Sequence, residues 1–220
     1  HTRSKFEIVQ FPARSLWERQ MEVDLDDLKN GSLNKLIQNL RDARKYYQFP
    51  SMSAPQIGWN ARVFVMNDDS IYVNPTIIES SEASPLESNW AWEPCASCCF
   101  AMHYIERQQK VAIKALNCSG DPFEKVLDKF EARMVQHEMD HLDGVLFTRK
   151  IPNTDHVVPM DSFFMMSDWP SDFPSCEARS TYLYNLFTPP YNFEACSVLD
   201  ANIFDRMYSD RVFPGSDAIE

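Results

Sequence analysis

The chain has 220 residues, 44% apolar and 24% charged, with a formal net charge of −11 and pI ≈ 4.9. That length fits one domain of generous size, or one domain with an appendage, and leaves room for a core without disulfide staples. No apolar run approaches the roughly 18 residues that a membrane-spanning helix needs, and so acidic a surface repels phosphate, so neither a membrane nor direct nucleic-acid binding is expected.

The chain opens His1-Thr2 without an initiator Met, and a leader or longer N-terminus is expected to be missing. Over residues 32–47, Leu33, Leu36, Ile37, Leu40, Ala43 and Tyr47 recur with a 3.6-residue period, which predicts an amphipathic helix with Ser32 as N-cap. Pro50 and Pro55 forbid helix across residues 49–56 and predict an extended loop. Residues 62–66 and 71–74 are short β-branched runs around Asn67-Asp68-Asp69-Ser70, the pattern of a hairpin. Residues 79–90 are polar and Ser-rich and read as a surface loop. Lys110–Leu116 alternates, with Val111, Ile113 and Ala115 on one side, and reads as a strand followed by a turn at residues 117–122.

Asp128 and Glu131 have the spacing of a capping box, and Gly144 is the expected stop, so a helix is predicted over Lys129–Asp143. Its Phe130, Met134, His137 and His141 share one face. Past Lys150 the composition changes. Residues 151–220 hold eleven acidic side chains against three basic ones, seven of the fourteen prolines and twelve aromatics. This predicts a body over 1–150 and an acidic, Pro- and aromatic-rich extension over 151–220, packed on the body as irregular loops with short helices. Three of the six cysteines, Cys95, Cys98 and Cys99, crowd into five positions, which suits buried thiols or metal ligands in a reducing interior better than a disulfide framework. His103 and His156 stand alone and are expected on the surface.

The segment Gln136-His137-Glu138-Met139-Asp140-His141 carries the chemistry. Two histidines four apart on a helix aim both imidazoles at one point, and Glu138 between them can take a proton from a water held there. A third ligand is needed. The position that a metzincin would give to a third histidine is Phe147, and glutamates are sparse downstream, so a thiolate upstream at Cys95 is the better candidate. The Cys95-Ala96-Ser97-Cys98 spacing also fits a redox pair or half of a zinc knuckle, though no second pair exists.

Read together, three segments resemble the peptide deformylase family. Gln136–Gly144, Q-H-E-M-D-H-L-D-G, is similar to the family's third motif; E-P-C-A-S at 93–97 is similar to its second, usually E-G-C-L-S; M-S-A-P-Q-I-G at 52–58 is similar to its first, usually G-x-G-x-A-A-P-Q. The resemblance covers about residues 6–150. It implies an α+β fold in which a central metal-binding helix is flanked by small antiparallel β-sheets. It implies a hydrolase that removes the formyl group from the N-terminal formyl-methionine of nascent polypeptides. Cys95, His137 and His141 would hold one divalent ion, Fe(II) natively, with Zn, Ni or Co able to replace it. Glu138 would act as general base, with the Gln56 side-chain amide and the Ala96 N–H as oxyanion donors. Glu93 and Arg107 match the family's paired carboxylate and guanidinium and read as a structural ion pair steadying the Cys95 loop.

The partners implied are an N-formylmethionyl peptide and proximity to the ribosome, although an acidic extension suits ribosome docking poorly. The compartment expected is the mitochondrion, where translation starts with formyl-methionine. Several residues depart from the family's pattern. Phe49 and Ser51 stand where the first motif has glycines, and Pro50 between them lacks the N–H that the family uses to hold substrate. Pro94 replaces a glycine. Arg133, one turn before His137, stands where the family lines its methionine pocket with apolar side chains; it is expected either to reach the cleft or to snorkel past Met134. These departures support an alternative, a deformylase-like metal-binding protein that is weak or inactive and has an altered substrate or partner.

Overall fold

The structure, a computed structural model, describes residues 7–79, 88–98, 100–165 and 168–180. Two antiparallel sheets flank one helix. The first has the order β1-β2-β3-β6-β7, made of β1 (Ser51–Ser53), β2 (Val63–Met66), β3 (Ile71–Ile78), β6 (Lys110–Leu116) and β7 (Pro122–Asp128). The second has the order β4-β5-β8, made of β4 (Ser88–Glu93), β5 (Ala101–Gln108) and β8 (Val157–Pro159). The predicted hairpin is β2–β3, with Val63 opposite Val73 and Val65 opposite Ile71. All four residues of β2 are buried, so register there is fixed by packing on both faces.

Helix α1 (Leu25–Lys29) is a single turn, and α2 (Asn34–Tyr47) buries Leu36, Ile37, Leu40, Ala43 and Tyr47 against β1 and β2. Its N-cap is Leu33, not Ser32; the Ser32 hydroxyl instead bonds Asn30 in the turn before the helix. Helix α3 runs Lys129–Asp143 as predicted, but Asp128 makes no side-chain cap. The chain turns sharply there, with Lys129 at φ 48°, and the Lys129 N–H bonds Gln109 O at 2.7 Å on the turn between β5 and β6. At the other end Gly144 has φ 68°, and a Cβ there would lie 2.7 Å from the backbone of Trp17 and Glu18. Glycine is required twice at that position, for its dihedral and for the close approach.

Three regions differ from the sequence expectation. Residues 88–90, read as loop, begin β4; residues 80–87 lie outside the described residues. The stretch at 49–56 is not wholly extended: β1 gives way to a 3-10 turn at Ala54–Ile57, with Pro55 in its first turn, where a missing N–H costs nothing. His103 and His156 are buried, not exposed. His103 stacks 3.8 Å from Phe147, and burial holds its pKa down to about 3; His156 stacks on Tyr104 and bonds Asn153.

Beyond Lys150, β8 adds to β5, and the short helices α4 (Met160–Phe164) and α5 (Cys176–Ser180) follow. Phe163, Trp169 and Ala178 pack on Trp92, whose Nε1–H donates to Ala178 O at 2.9 Å. Residues 181–220 of the predicted extension lie outside the described residues. Among the described residues, no helix is long and apolar enough to cross a membrane.

Candidate metal centre

Helix α3 presents His137 and His141 one turn apart, ring centroids 5.0 Å from each other. Strand β4 ends at Glu93, and Pro94 leads into Cys95, whose Sγ lies 3.3 Å from His141 Nε2. The ligand atoms of Cys95, His137 and His141 lie within 4.8 Å of one another, and all three residues are buried. A tetrahedral ion with Zn-like bond lengths wants S···N separations of about 3.6 Å, so the Cys95–His141 pair already stands near ligand geometry. One thiol and two imidazoles around one point fit a borderline transition metal ion.

The wall behind His137 sets two guanidinium groups against the carboxylates of Glu93 and Asp140. Arg107 grips Glu93 with Nε on Oε1 at 3.0 Å and Nη2 on Oε2 at 2.9 Å, and also pairs with Asp140. This agrees with the ion pair expected for Glu93 and Arg107. Arg133 is the correction. It reaches neither an open cleft nor solvent; its Nη1 meets Glu93 Oε1 at 2.5 Å and Ile105 O at 3.1 Å, and its Nη2 takes Asn89 O and Oδ1 at 2.7 and 2.6 Å. A buried guanidinium is costly unless so paired, and Glu93, pointing across from β4, supplies the partner.

Burial alone would raise the Glu93 carboxyl, but Arg107, His137 and Arg133 hold it well below the usual range. Glu93 Oε2 also meets His137 Nδ1 at 3.1 Å. A carboxylate there accepts the Nδ1–H, so Nε2 of His137 is the nitrogen left for an ion. Burial would lower His137, yet its contacts with Cys95, Glu93 and Glu138 push it well above its ordinary value. His141 is held well below its ordinary value by burial and by the nearby His137 and Arg107.

The facing wall is β1 and the 3-10 turn after it. Gln56 Oε1 accepts from the Ser53 N–H at 2.9 Å and from the Ser53 hydroxyl at 3.1 Å. Those donors fix which end of the amide is oxygen, so Nε2 is the donor on offer to the site. Glu138 Oε1 accepts from the Ser51 hydroxyl at 2.6 Å, while Oε2 is buried with no hydrogen-bond partner among the described residues. Burial raises the Glu138 carboxyl, against the pull of His137, Ser51 and Ser53. Ala96 opens the 3-10 turn Ala96–Cys98, and the first N–H of such a turn has no partner inside it. The N-terminal segment ties these parts together: Val9 N bonds Gln56 O at 2.8 Å, Phe11 N bonds Ser97 O at 2.8 Å, and Gln10 Nε2 bonds Ala96 O at 2.9 Å.

Cys95, His137 and His141 are therefore brought together, Glu138 lies between the two histidines on α3, and β1 contacts both Glu138 and Gln56 through Ser51 and Ser53. Ser51, Ser53 and the Arg133–Glu93 contact were not foreseen. The only signal for them was a set of polar residues standing where the resembling motifs have glycine, alanine or an apolar side chain. The Cys95–Cys98 segment is a strand end followed by one 3-10 turn, without the following helix a thioredoxin-like redox pair needs. A cavity of about 440 Å³ behind α3, lined by Arg62, Asp140 and Lys150 among others, contains none of the three ligand residues, and those charges pair with neighbouring acids or bases.

A helix bearing two histidines and a glutamate, closed by a cysteine from a neighbouring strand, defines a metal-dependent hydrolase site. The polypeptide deformylase family's sequence profile matches residues 5–157, and the chain belongs to that family, whose members remove the N-formyl group from nascent polypeptides. A peptide deformylase of Pseudothermotoga lettingae is 40% identical over 105 residues, 47% of this chain and 59% of that protein. One from Desulforudis audaxviator is 33% identical over 64% of this chain and 90% of its own. Among solved structures, the Thermotoga maritima enzyme shares 31% identity at a TM-score of 0.60, covering 70% of this chain and all of that one. A Plasmodium falciparum peptide deformylase in complex with an inhibitor gives 31% and 0.60, covering 67% of this chain and 90% of its own.

Proposed function

We propose that this chain deformylates N-terminal formyl-methionine with Cys95, His137 and His141 as ligands of one divalent ion, Glu138 as general base, and Gln56 and Ala96 as oxyanion donors. The observation that carries this reading is a buried Cys/His/His cluster within 4.8 Å beside a buried Glu138 oxygen that has no hydrogen-bond partner among the described residues. When bound, the ion supplies a Lewis acid that makes water acidic near neutral pH and polarises a carbonyl. Glu138 Oε2 takes the proton of the attacking water as its oxygen bonds the formyl carbon. The carbonyl electron pair moves onto oxygen, where Gln56 Nε2–H and Ala96 N–H donate. The C–N bond then breaks, and Glu138 returns the proton to the leaving amine, giving formate and a free methionine N-terminus.

Fe(II) is the native ion in this reading, with Zn, Ni or Co able to replace it. The setting is a mitochondrion, near the ribosome, where formyl-methionyl chains emerge; imaging a tagged full-length chain checks the compartment. Pro50, which offers no N–H to a substrate chain, favours a second reading, a deformylase-like protein that binds metal without turnover.

Anaerobic, iron-loaded protein assayed with a formyl-Met-Ala peptide separates the two. Formate release is expected, and full iron occupancy without turnover would overturn the enzymatic reading. Cys95→Ser is expected to lose the ion by elemental analysis, because a hydroxyl is a far poorer ligand than a thiolate. Full occupancy in that variant would overturn the ligand set.

A further inference from the structure

We propose that β1 is an aiming strand, in which Ser51 and Ser53 are positioning residues that fix the side chains of Glu138 and Gln56. The inference rests on the assignment of Glu138 and Gln56 above and adds to it two residues that this assignment does not use. In an extended strand, alternate side chains share a face. Ser51 and Ser53 thus face the site together, and Met52 between them turns into the opposite core beside Leu36 and Leu40. The Ser51 hydroxyl goes to Glu138, and that of Ser53, which also pulls on the Glu138 carboxyl, goes to Gln56. Ser51 Oγ donates to Glu138 Oε1 at 2.6 Å, across 87 residues of sequence. Ser53 donates twice to Gln56 Oε1, through its N–H at 2.9 Å and its hydroxyl at 3.1 Å. All four side chains are buried, so water does not compete for these bonds.

The two hydroxyls are additions to the pattern this segment resembles. Set against G-x-G-x-A-A-P-Q, Ser51 stands at the second glycine and Ser53 at the first alanine, neither of which has a side-chain donor. A glutamate has three rotatable bonds, and its terminal carboxylate torsion is broad. A charge-assisted bond to one oxygen removes that freedom and leaves the other oxygen in one direction. In this chain the other oxygen is Oε2, buried with no hydrogen-bond partner among the described residues. Ser53 does the same for an amide, holding Oε1 so that Nε2 is presented. Because Ser53 keeps its backbone N–H when its side chain is removed, Ser51 carries the larger share of the effect.

Ser51→Ala and Ser51→Gly are compared with Ser51→Thr in iron-loaded protein, with formyl-Met-Ala peptide as substrate. The expected result is a fall in kcat of about tenfold for Ala and Gly with KM unchanged, and recovery in Thr, which keeps the hydroxyl. Ser53→Ala is expected to fall about threefold by the same reasoning. If Ala and Gly keep kcat within about twofold of the parent, or if Thr is as impaired as Ala, the positioning role is overturned.

A second arm does not use activity. A double-mutant cycle of Ser51→Ala and Glu138→Ala, read by urea unfolding of metal-free protein, is expected to give non-additive stabilities, and additivity overturns the Ser51–Glu138 link. If the parent releases no formate while the cycle shows coupling, the deformylase reading fails and the aiming contact stands. If the parent is active and the cycle is additive, the reverse holds.

Discussion

Two walls close on the Cys95/His137/His141 cluster, and they treat their carboxylates in opposite ways. Glu93 and Glu138 are equally buried, each about 1% exposed. Glu93 stands among Arg107, Arg133 and His137 and is held well below its ordinary value; Glu138 faces two serines and the same histidine and is held above it. Burial therefore does not decide the role. What decides it is whether the partners are cations, which keep a carboxylate charged and fixed, or neutral hydroxyls, which leave it free to accept a proton. In the proposed mechanism one wall stays still and the other exchanges protons.

The largest expected effect breaks the proton-exchanging wall. Glu138→Gln keeps the shape and the Ser51 bond but cannot take a proton. It is expected to retain its ion by elemental analysis while formate release falls by on the order of 10²–10⁴. Parent-like activity would remove Glu138 as the base, and loss of the ion would show that it has a structural role instead.

Breaking the static wall acts on stability first. Glu93→Gln leaves Arg133 buried with no full charge against it and Arg107 with Asp140 alone, and about 3–5 kcal/mol of stability is expected to be lost in urea unfolding. Its ion is expected to bind 10–100-fold more weakly by chelator competition, since His137 loses the acceptor that sets its tautomer. A variant as stable as the parent would show that the two guanidinium groups are satisfied by Asp140, Asn89 and backbone carbonyls alone.

Arg133→Met sharpens the same comparison. It removes one of two guanidinium groups and leaves Arg107 on Glu93, so the expected loss is smaller, about 1–3 kcal/mol. Because the guanidinium is already engaged by Glu93, Asn89 and Ile105, the ratio of activities on formyl-Met and formyl-Glu peptides is expected to stay unchanged. A shift in that ratio would mean that Arg133 also touches the substrate.

The smallest effect tests burial without a partner for charge. His103 is neutral, with a folded pKa of about 3 against an ordinary value of 6.5, and its charged neighbours are Glu93 and His137. Its folded pKa lies below its unfolded one, so it costs nothing above pH 6.5. It subtracts stability as pH falls through that value, by about 1.4 kcal/mol per pH unit, until the folded group also protonates near 3. Metal-free parent and His103→Gln, unfolded in urea at pH 7 and pH 5, are expected to diverge as the parent loses more. Equal losses would assign the acid sensitivity to the cluster histidines instead.

The extent to which the molecule was legible depended on whether the signal was local. Helix α3 was predicted to the residue because its period, its two histidines and Gly144 all lie within one segment. Its capping was misread, because the end of the helix is tied to Gln109 rather than to its own Asp128. Strand β5 was missed because nearly all its residues are buried on both faces, which erases the alternation. Strand β7 was missed for the opposite reason: it is the edge strand, exposed at most positions, with Glu124, Lys125 and Asp128 along it. His103 and His156 were read as surface residues because a lone histidine carries no sign of what will cover it.

Sequence by itself picked out the candidate residues: His137, Glu138 and His141 because their spacing is written within one turn of a single helix, and Cys95 and Gln56 because their segments resemble the family's other motifs. Only the tertiary structure decided the environment. Arg133 is a buried strut rather than a charge in a cleft because Glu93, forty residues earlier, ends a strand beside it. Ser51 reaches Glu138 because β1 packs on α3. Coulombic and hydrogen-bond energies depend on distance in space, and a linear spacing gives that distance only inside a single element.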